Sequence, residues 1–220
     1  MDVKRQIRQT LLDIARRRQR PGTGSASRFL SARTHYMHFP DLTSVLHPIP
    51  WAVVGAVAAR MYMPERMTQD LDIVVRLADA ATVRQKLTTA GFQYGADLTI
   101  AGASWMTPDG RSIDVLESAE PWLAQALAEA QQNRDAQGLP VLPLPYLVLM
   151  KFQAGRVQDV ADITRMLGQA REEMLAAVRQ LFTALLPEEM ADLESLIALG
   201  QLEMQLPQSE EGGSVLDSGT

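Results

Sequence analysis

The chain has 220 residues, 46% of them hydrophobic, with a formal net charge of −5 at pH 7. This length and apolar content suit one domain with a proper core and a small helical appendix. No apolar run approaches the roughly 18 residues that a membrane-spanning helix needs, and no apolar leader segment opens the sequence. Cysteine is absent, which excludes disulfides and thiolate metal sites and favours a cytoplasmic location.

The net charge conceals a strong asymmetry along the chain. Residues 1–40 carry a formal charge of +7, whereas the remaining residues carry −12. A basic arm on an acidic body is typical of nucleic-acid contact. Two alternatives stay open: an amphipathic helix that packs on the body through Ile7, Leu11 and Ile14, or an Arg-rich organellar transit peptide. The two acidic residues of this segment count against the transit peptide.

Hydrophobic periodicity and Pro/Gly punctuation divide the chain into strands and helices that alternate first, with helices alone at the end. This order predicts an α/β (α+β) fold, a mixed sheet flanked by helices with a helical C-terminal part. The predicted strands are Trp51–Val54, Leu71–Val75, Leu98–Ile100, Ser104–Thr107 and Arg111–Leu116. The predicted helices are Val3–Arg18, Ala56–Met63, Asp79–Ala90, Pro121–Gln132, Tyr146–Ala154, Val157–Leu167, Glu172–Leu185 and Glu188–Gln205.

The same pattern predicts four segments with different roles. They are a basic helix and linker (1–45), a core domain (46–143), a helical part (144–206) and a polar tail (207–220). The tail is rich in Gly and Ser, a composition typical of disorder.

Two aspartates alternate with apolar residues in the second predicted strand, as Asp70-Leu71-Asp72-Ile73. In a β-strand residues i and i+2 share a face, about 6.5 Å apart. Two carboxylates side by side repel one another unless a cation sits between them. The triplet therefore predicts a Mg²⁺ site, and Mg²⁺ suggests phosphate chemistry.

A third carboxylate, Asp114, lies between Ile113 and Val115 in a later predicted strand. If that strand pairs beside Leu71–Val75, the three carboxylates converge and one or two Mg²⁺ ions can hold a nucleotide's phosphates. Gly55 ends the first strand where backbone can approach a phosphate closely. Arg66 suits phosphate oxygens.

The joint arrangement resembles the nucleotidyltransferase superfamily of the DNA polymerase β type. That family shows an apolar residue and Gly, then Gly or Ser, a gap of about a dozen residues and Asp-apolar-Asp. Here Ala56 replaces the second Gly or Ser, and 13 residues separate it from Asp70. The wording Arg66-Met67-Thr68-Gln69-Asp70-Leu71-Asp72 is especially similar to the AbiEii-like branch, whose minimal enzymes are common toxins of toxin–antitoxin and phage-defence systems. The segment from Leu144 to Lys151, followed by Arg156-Val157-Gln158-Asp159-Val160-Ala161-Asp162, is similar to that branch's Lys and Arg-x-x-Asp-x-x-Asp signature.

The resemblance implies an enzyme that moves a nucleoside monophosphate from an NTP to an acceptor, with Mg²⁺ as cofactor and a cognate antitoxin as partner. The basic arm favours RNA, with a tRNA 3′ end as first choice. The implied catalytic residues are Asp70, Asp72, Asp114 and Lys151, the first three as metal ligands. The implied nucleotide-binding residues are Gly55, Ala56, Arg66, Thr68 and Lys151.

Three alternatives stay open at this point. The same site could nucleotidylate a protein side chain or transfer a γ-phosphate as a kinase does. The chain could also be a catalytically silent binding module, which the alanine at position 56 favours.

The roles of two further aspartates also stay open. Asp159 and Asp162 either orient Lys151 and Arg156 or face solvent.

Overall fold

The computed structural model describes residues 3–18, 38–63 and 70–204, and the elements below fall within them. The strands are β1 (Ala52–Val53), β2 (Leu71–Arg76), β3 (Gln93–Asp97), β4 (Gly102–Met106) and β5 (Ser112–Ser118). The helices are α1 (Val3–Arg18), α2 (Thr43–Leu46), α3 (Gly55–Ala59), α4 (Ala80–Thr89), α5 (Leu123–Ala130), α6 (Leu144–Ala154), α7 (Val157–Gln169), α8 (Glu172–Leu185) and α9 (Met190–Met204). Short 3₁₀ turns at Leu77–Asp79 and Pro187–Glu189 lead into α4 and α9.

The five strands form one sheet in the order β1-β2-β5-β4-β3. β2 and β5 run parallel, and the other neighbours run antiparallel. Helices flank this mixed sheet, and α6 to α9 form a helical C-terminal part. The predicted α/β fold class is therefore confirmed.

The two faces of β5 differ in burial. Ile113 and Val115 are buried, whereas Asp114 and Leu116, which alternate with them, are half-buried. Successive residues of a strand point to opposite faces, so the side of the sheet that carries Asp114 is the more open one here. Glu117 lies on the covered side and accepts two hydrogen bonds from Arg84 of α4, at 2.9 and 3.0 Å.

The helical part packs through close backbone contact. A Cβ on Gly200 of α9 would lie 2.1 Å from the carbonyl oxygen of Thr164 in α7, and one on Gly168 would lie 2.3 Å from that of Gly200. Real Cβ atoms do not approach so closely. The two helices can therefore cross at this distance only because both positions are glycine.

Helix α1 packs on the helical part, but by a different face from the predicted one. Arg8 is 5% exposed; it donates to Asp192 (2.9 Å) and Glu189 (2.5 Å), and its guanidinium lies 3.8 Å from the ring centre of Phe152. Leu12 is buried beside it, whereas Ile7 and Ile14, predicted as packing residues, are 45% and 47% exposed. Leu11, the third predicted packing residue, is half-buried. The expectation was therefore wrong for Ile7 and Ile14, because ion pairs and a cation–π contact let a charged residue occupy the packing face.

Most other predicted elements agree with the structure to within a few residues, with two exceptions. Leu98–Ile100, predicted as a strand, lies outside the sheet, and Gln93–Asp97 forms the edge strand instead. Asp79, predicted as the first residue of a helix, instead ends the 3₁₀ turn before α4, and its carboxylate accepts a hydrogen bond from Arg76 Nε at 2.7 Å. The predicted tail (207–220) and much of the basic arm lie outside the described residues.

Candidate functional site

Asp72 and Asp114 are direct neighbours across the parallel β2–β5 pair. The register places Asp72 opposite Asp114, with Leu71 opposite Ile113 and Ile73 opposite Val115. Opposed residues of adjacent strands share a face of the sheet. We call Asp72 and Asp114 the carboxylate pair; Asp70 lies one residue before β2.

Burial and neighbouring negative charge disfavour ionisation of both carboxylates in the pair. Burial, followed by the negative charges of Asp114 and Asp70, raises the pKa of Asp72 to about 6. Burial, followed by Asp70, also raises the pKa of Asp114 above its ordinary value. Each carboxylate resists ionisation because water is excluded and a like charge is close. The three acidic groups therefore form one electrostatic unit.

Gly55 brings the backbone directly against Asp72. The Val54 amide donates to the Asp72 carbonyl oxygen (2.9 Å), which fixes the chain at the start of α3. A Cβ on Gly55 would lie 1.9 Å from Asp72 Oδ2, and its φ of +64° is in the left-handed region. Only glycine satisfies both conditions. Ala56, the next residue, is a buried member of α3.

Of the remaining residues predicted to bind phosphate, the structure describes Lys151 but not Arg66 or Thr68. Arg66 and Thr68 lie outside the described residues, so their predicted roles stay predictions. Lys151 on α6 is 6% exposed and donates to Asp162 Oδ2 (2.8 Å) and Asp159 Oδ1 (3.3 Å). Of the two interpretations of Asp159 and Asp162, the structure therefore favours orientation of Lys151 over exposure to solvent.

Arg156 completes this group. Its Nε and Nη2 donate to Asp159 Oδ2 (2.7 Å) and Oδ1 (3.2 Å), although its side chain is 74% exposed. We call Lys151, Arg156, Asp159 and Asp162 the buried ion cluster, a set with two positive and two negative charges. The positive charges of Lys151 and Arg156 also act on Asp72, whose pKa they lower against the larger effect of burial. The cluster thus lies within electrostatic reach of the carboxylate pair.

The donor set fits a divalent cation. Carboxylate oxygens are the ligands that Mg²⁺ prefers, and Mg²⁺ usually keeps several waters while one or two carboxylates and substrate phosphates hold it. Within residues 3–18, 38–63 and 70–204, no three His, Asp or Glu side chains come close enough to hold a metal ion by themselves. One or two carboxylates from Asp72, Asp114 and Asp70 match the Mg²⁺ pattern rather than a closed protein cage.

Comparisons with known proteins give only distant structural similarity. No protein-family model and no curated protein match the chain. It is similar to the crystal structure of ANT(2″)-Ia in complex with adenylyl-2″-tobramycin, at 17% identity and a TM-score of 0.35, over 70% of this chain and 87% of that one. It is also similar to the solution structure of the antibiotic-resistance factor ANT(2″)-Ia, at 19% identity and a TM-score of 0.37, over 74% of this chain and 93% of that one. Because such values assign no family, the functional proposal depends on the site itself.

Proposed function

We propose that the chain is a Mg²⁺-dependent nucleotidyltransferase that moves a nucleoside monophosphate from an NTP to an acceptor hydroxyl. The observation that carries this proposal is the register of Asp72 opposite Asp114, with the Gly55 backbone against Asp72. Paired carboxylates beside a close backbone approach suit a nucleotide's metal and phosphates. The Asp-apolar-Asp motif and its spacing from Gly55 support the same activity.

In the proposed reaction, the acceptor oxygen bonds to the α-phosphorus, the bond to the β-phosphate oxygen breaks, and pyrophosphate leaves. One or two carboxylates from Asp70, Asp72 and Asp114 would hold Mg²⁺ together with water and substrate phosphate, and the ion would neutralise phosphate charge and lower the pKa of the acceptor hydroxyl. Asp114 would also help to deprotonate the acceptor hydroxyl. Gly55 and Ala56 face the phosphates through their backbone.

We propose RNA as the acceptor, with a tRNA 3′ end as the first candidate. The +7 charge of residues 1–40 supports a polyanionic partner. Arg8 is committed to the packing of α1, but Arg16 and Arg17 remain exposed on that helix. By resemblance, such an activity would serve as the toxin of a toxin–antitoxin or phage-defence system in the cytoplasm, restrained by an antitoxin. No helix in the described part of the chain has the length and apolarity to span a bilayer.

The decisive experiment incubates the protein with Mg²⁺, total RNA and each α-labelled NTP in turn. We expect labelled RNA from the wild-type protein and none from Asp72→Ala. Glu173→Gln is the matched control, because it removes one exposed carboxylate on α8, and it should leave the transfer unchanged. Undiminished transfer by Asp72→Ala would contradict the assigned roles.

The same assay separates the alternative activities. Label on protein instead of RNA would indicate nucleotidylation of a side chain. Transfer from γ-labelled but not α-labelled NTP would indicate a kinase-like reaction. An absence of Mg²⁺-dependent NTP binding by calorimetry would favour a silent binding module, the alternative that Ala56 supports.

A further inference from the structure

The buried lysine is poorly placed to serve as a mobile phosphate ligand. The ammonium group of Lys151 lies between the carboxylates of Asp159 and Asp162, which are 1% and 0% exposed. If the ammonium moved out to a ligand, two buried carboxylates would lose their counter-charge, a costly change. Lys151 is therefore best understood as the fixed counter-charge of these two buried carboxylates.

Arg156 differs from Lys151 in both exposure and geometry. Its side chain is 74% exposed, yet two of its N–H groups are held by the fully buried carboxylate of Asp159. A guanidinium carries five N–H donors in a rigid fork, so the outer side of the fork remains for a ligand. An ordinary surface arginine has a mobile partner or none, whereas this one is anchored to the core.

The position of Arg156 relative to the carboxylate pair is the second observation. Its positive charge acts on Asp72, and the negative charge of Asp72 acts on Arg156 in return. Helix α6, which carries Lys151, also packs against α3, which begins at Gly55 beside Asp72. This packing brings the helical part that holds the cluster against the element beside the carboxylate pair. A nucleotide held there would present phosphate oxygens, which a planar guanidinium binds in a bidentate manner.

We propose that Arg156 is a phosphate-binding residue of this site and that Asp159 is its positioning residue. This inference depends on the proposed nucleotidyltransferase function and deepens it, because the sequence had assigned phosphate contact to Arg66 and Lys151. Asp159 shares its two oxygens between the buried lysine and the exposed arginine. Because Asp159 is buried, it fixes the position of the Arg156 guanidinium before the nucleotide binds.

Calorimetric titration with Mg²⁺ and ATP, GTP, CTP or UTP tests the proposal, using the NTP that the wild-type protein binds most tightly. Loss of charge-assisted hydrogen bonds in Arg156→Gln should raise the dissociation constant about 10- to 100-fold. Arg156→Lys, which keeps the charge but loses the fork, should fall between the two proteins. The corresponding nucleoside, which has no phosphate, should bind all variants equally weakly.

Arg165→Gln is the matched control, since Arg165 lies on α7, the helix that follows Arg156, and pairs with a carboxylate of Glu203 at 3.6 Å. It should bind the NTP as the wild-type protein does. Asp159→Asn should raise KM and leave kcat nearly unchanged, and the double variant Arg156→Gln/Asp159→Asn should bind no more weakly than Arg156→Gln alone. A merely structural role of Asp159 would instead add its own loss.

The outcomes separate this inference from the proposed function. NTP binding by Arg156→Gln and Arg156→Lys within twofold of the wild-type value would overturn the role of Arg156 and leave the nucleotidyltransferase proposal intact. A wild-type protein that binds no NTP with Mg²⁺ would overturn both. Should Arg156→Gln misfold by circular dichroism, Arg156→Lys still decides the question, because it keeps the positive charge beside Asp159.

Discussion

The carboxylate pair and the buried ion cluster differ in how their charges are compensated. In the cluster, Lys151 and Arg156 neutralise Asp159 and Asp162 within the protein. In the carboxylate pair, Asp72 and Asp114 face one another across adjacent strands, and the pKa of Asp72 rises to about 6. The charges of the cluster are compensated within the protein, whereas the like charges of the pair suit an external cation. The contrast indicates that the carboxylate pair, rather than the cluster, would receive a cation.

The largest effect should come from breaking the balance of the cluster. Lys151→Met leaves two buried carboxylates without their shared ammonium partner, and we expect the free energy of unfolding to fall by about 3–5 kcal/mol. Urea denaturation in EDTA measures it. Lys86→Met, which removes a half-buried lysine bonded to a backbone carbonyl, should cost about 1 kcal/mol. Equal losses in the two variants would show that the cluster does not depend on Lys151.

A slightly smaller loss should follow from disturbing the carboxylate pair at its backbone neighbour. In Gly55→Ala the new Cβ would overlap Asp72 Oδ2, at 1.9 Å, and occupy a positive φ. Gly110 has a φ of +82° but open space around it. The change in unfolding free energy of Gly110→Ala therefore measures the cost of a side chain at positive φ without a steric clash. We expect about 1 kcal/mol of destabilisation for Gly110→Ala and about 3 kcal/mol for Gly55→Ala. Equal costs would mean that Asp72 moves aside freely.

Removing one charge from the pair should stabilise the metal-free protein. Because the pKa of Asp72 is higher in the folded state (about 6) than in the unfolded chain, its contribution to stability is full below about pH 4 and is lost as pH rises through 6. In EDTA at pH 8, Asp72→Asn should therefore be more stable than the wild-type protein by about 2–3 kcal/mol. The advantage should vanish near pH 4. Mg²⁺ should stabilise the wild-type protein at pH 8 and not the variant, so a pH-independent difference would contradict this account.

The smallest effect should come from neutralising the neighbours of Asp72. Burial raises the pKa of Asp72 more than Asp114 does, and Asp114 more than Asp70. In Asp114→Asn the pKa of Asp72 should fall yet stay above its ordinary value, and Asp70→Asn should lower it less. NMR titration of the Asp72 carboxyl carbon measures both shifts. A full return to an ordinary pKa in Asp114→Asn would mean that charge repulsion, not burial, dominates.

Local sequence patterns predicted the elements that hold the candidate site. The alternation around Asp72 and Asp114 placed both on strands, because the period of two reflects burial of every second residue. The edge strand Gln93–Asp97 escaped prediction because all five residues are exposed and include Gly and Asp, so that only pairing with β4 holds them extended. The sequence offered Arg156 as a residue that Asp159 and Asp162 orient, but it gave Arg156 no phosphate contact, because its exposure and its buried anchor are visible only in the fold.

By itself, the sequence determined the order of most strands and helices and placed Asp72 and Asp114 on strands. Only the tertiary structure decided that Asp72 lies opposite Asp114, that Lys151 is enclosed by two carboxylates, and that Arg8 rather than Ile7 packs helix α1. The physical reason is the separation along the chain between the residues that interact. Periodicity is encoded by neighbours along the chain, whereas strand register and ion pairing depend on residues that meet only when the core closes.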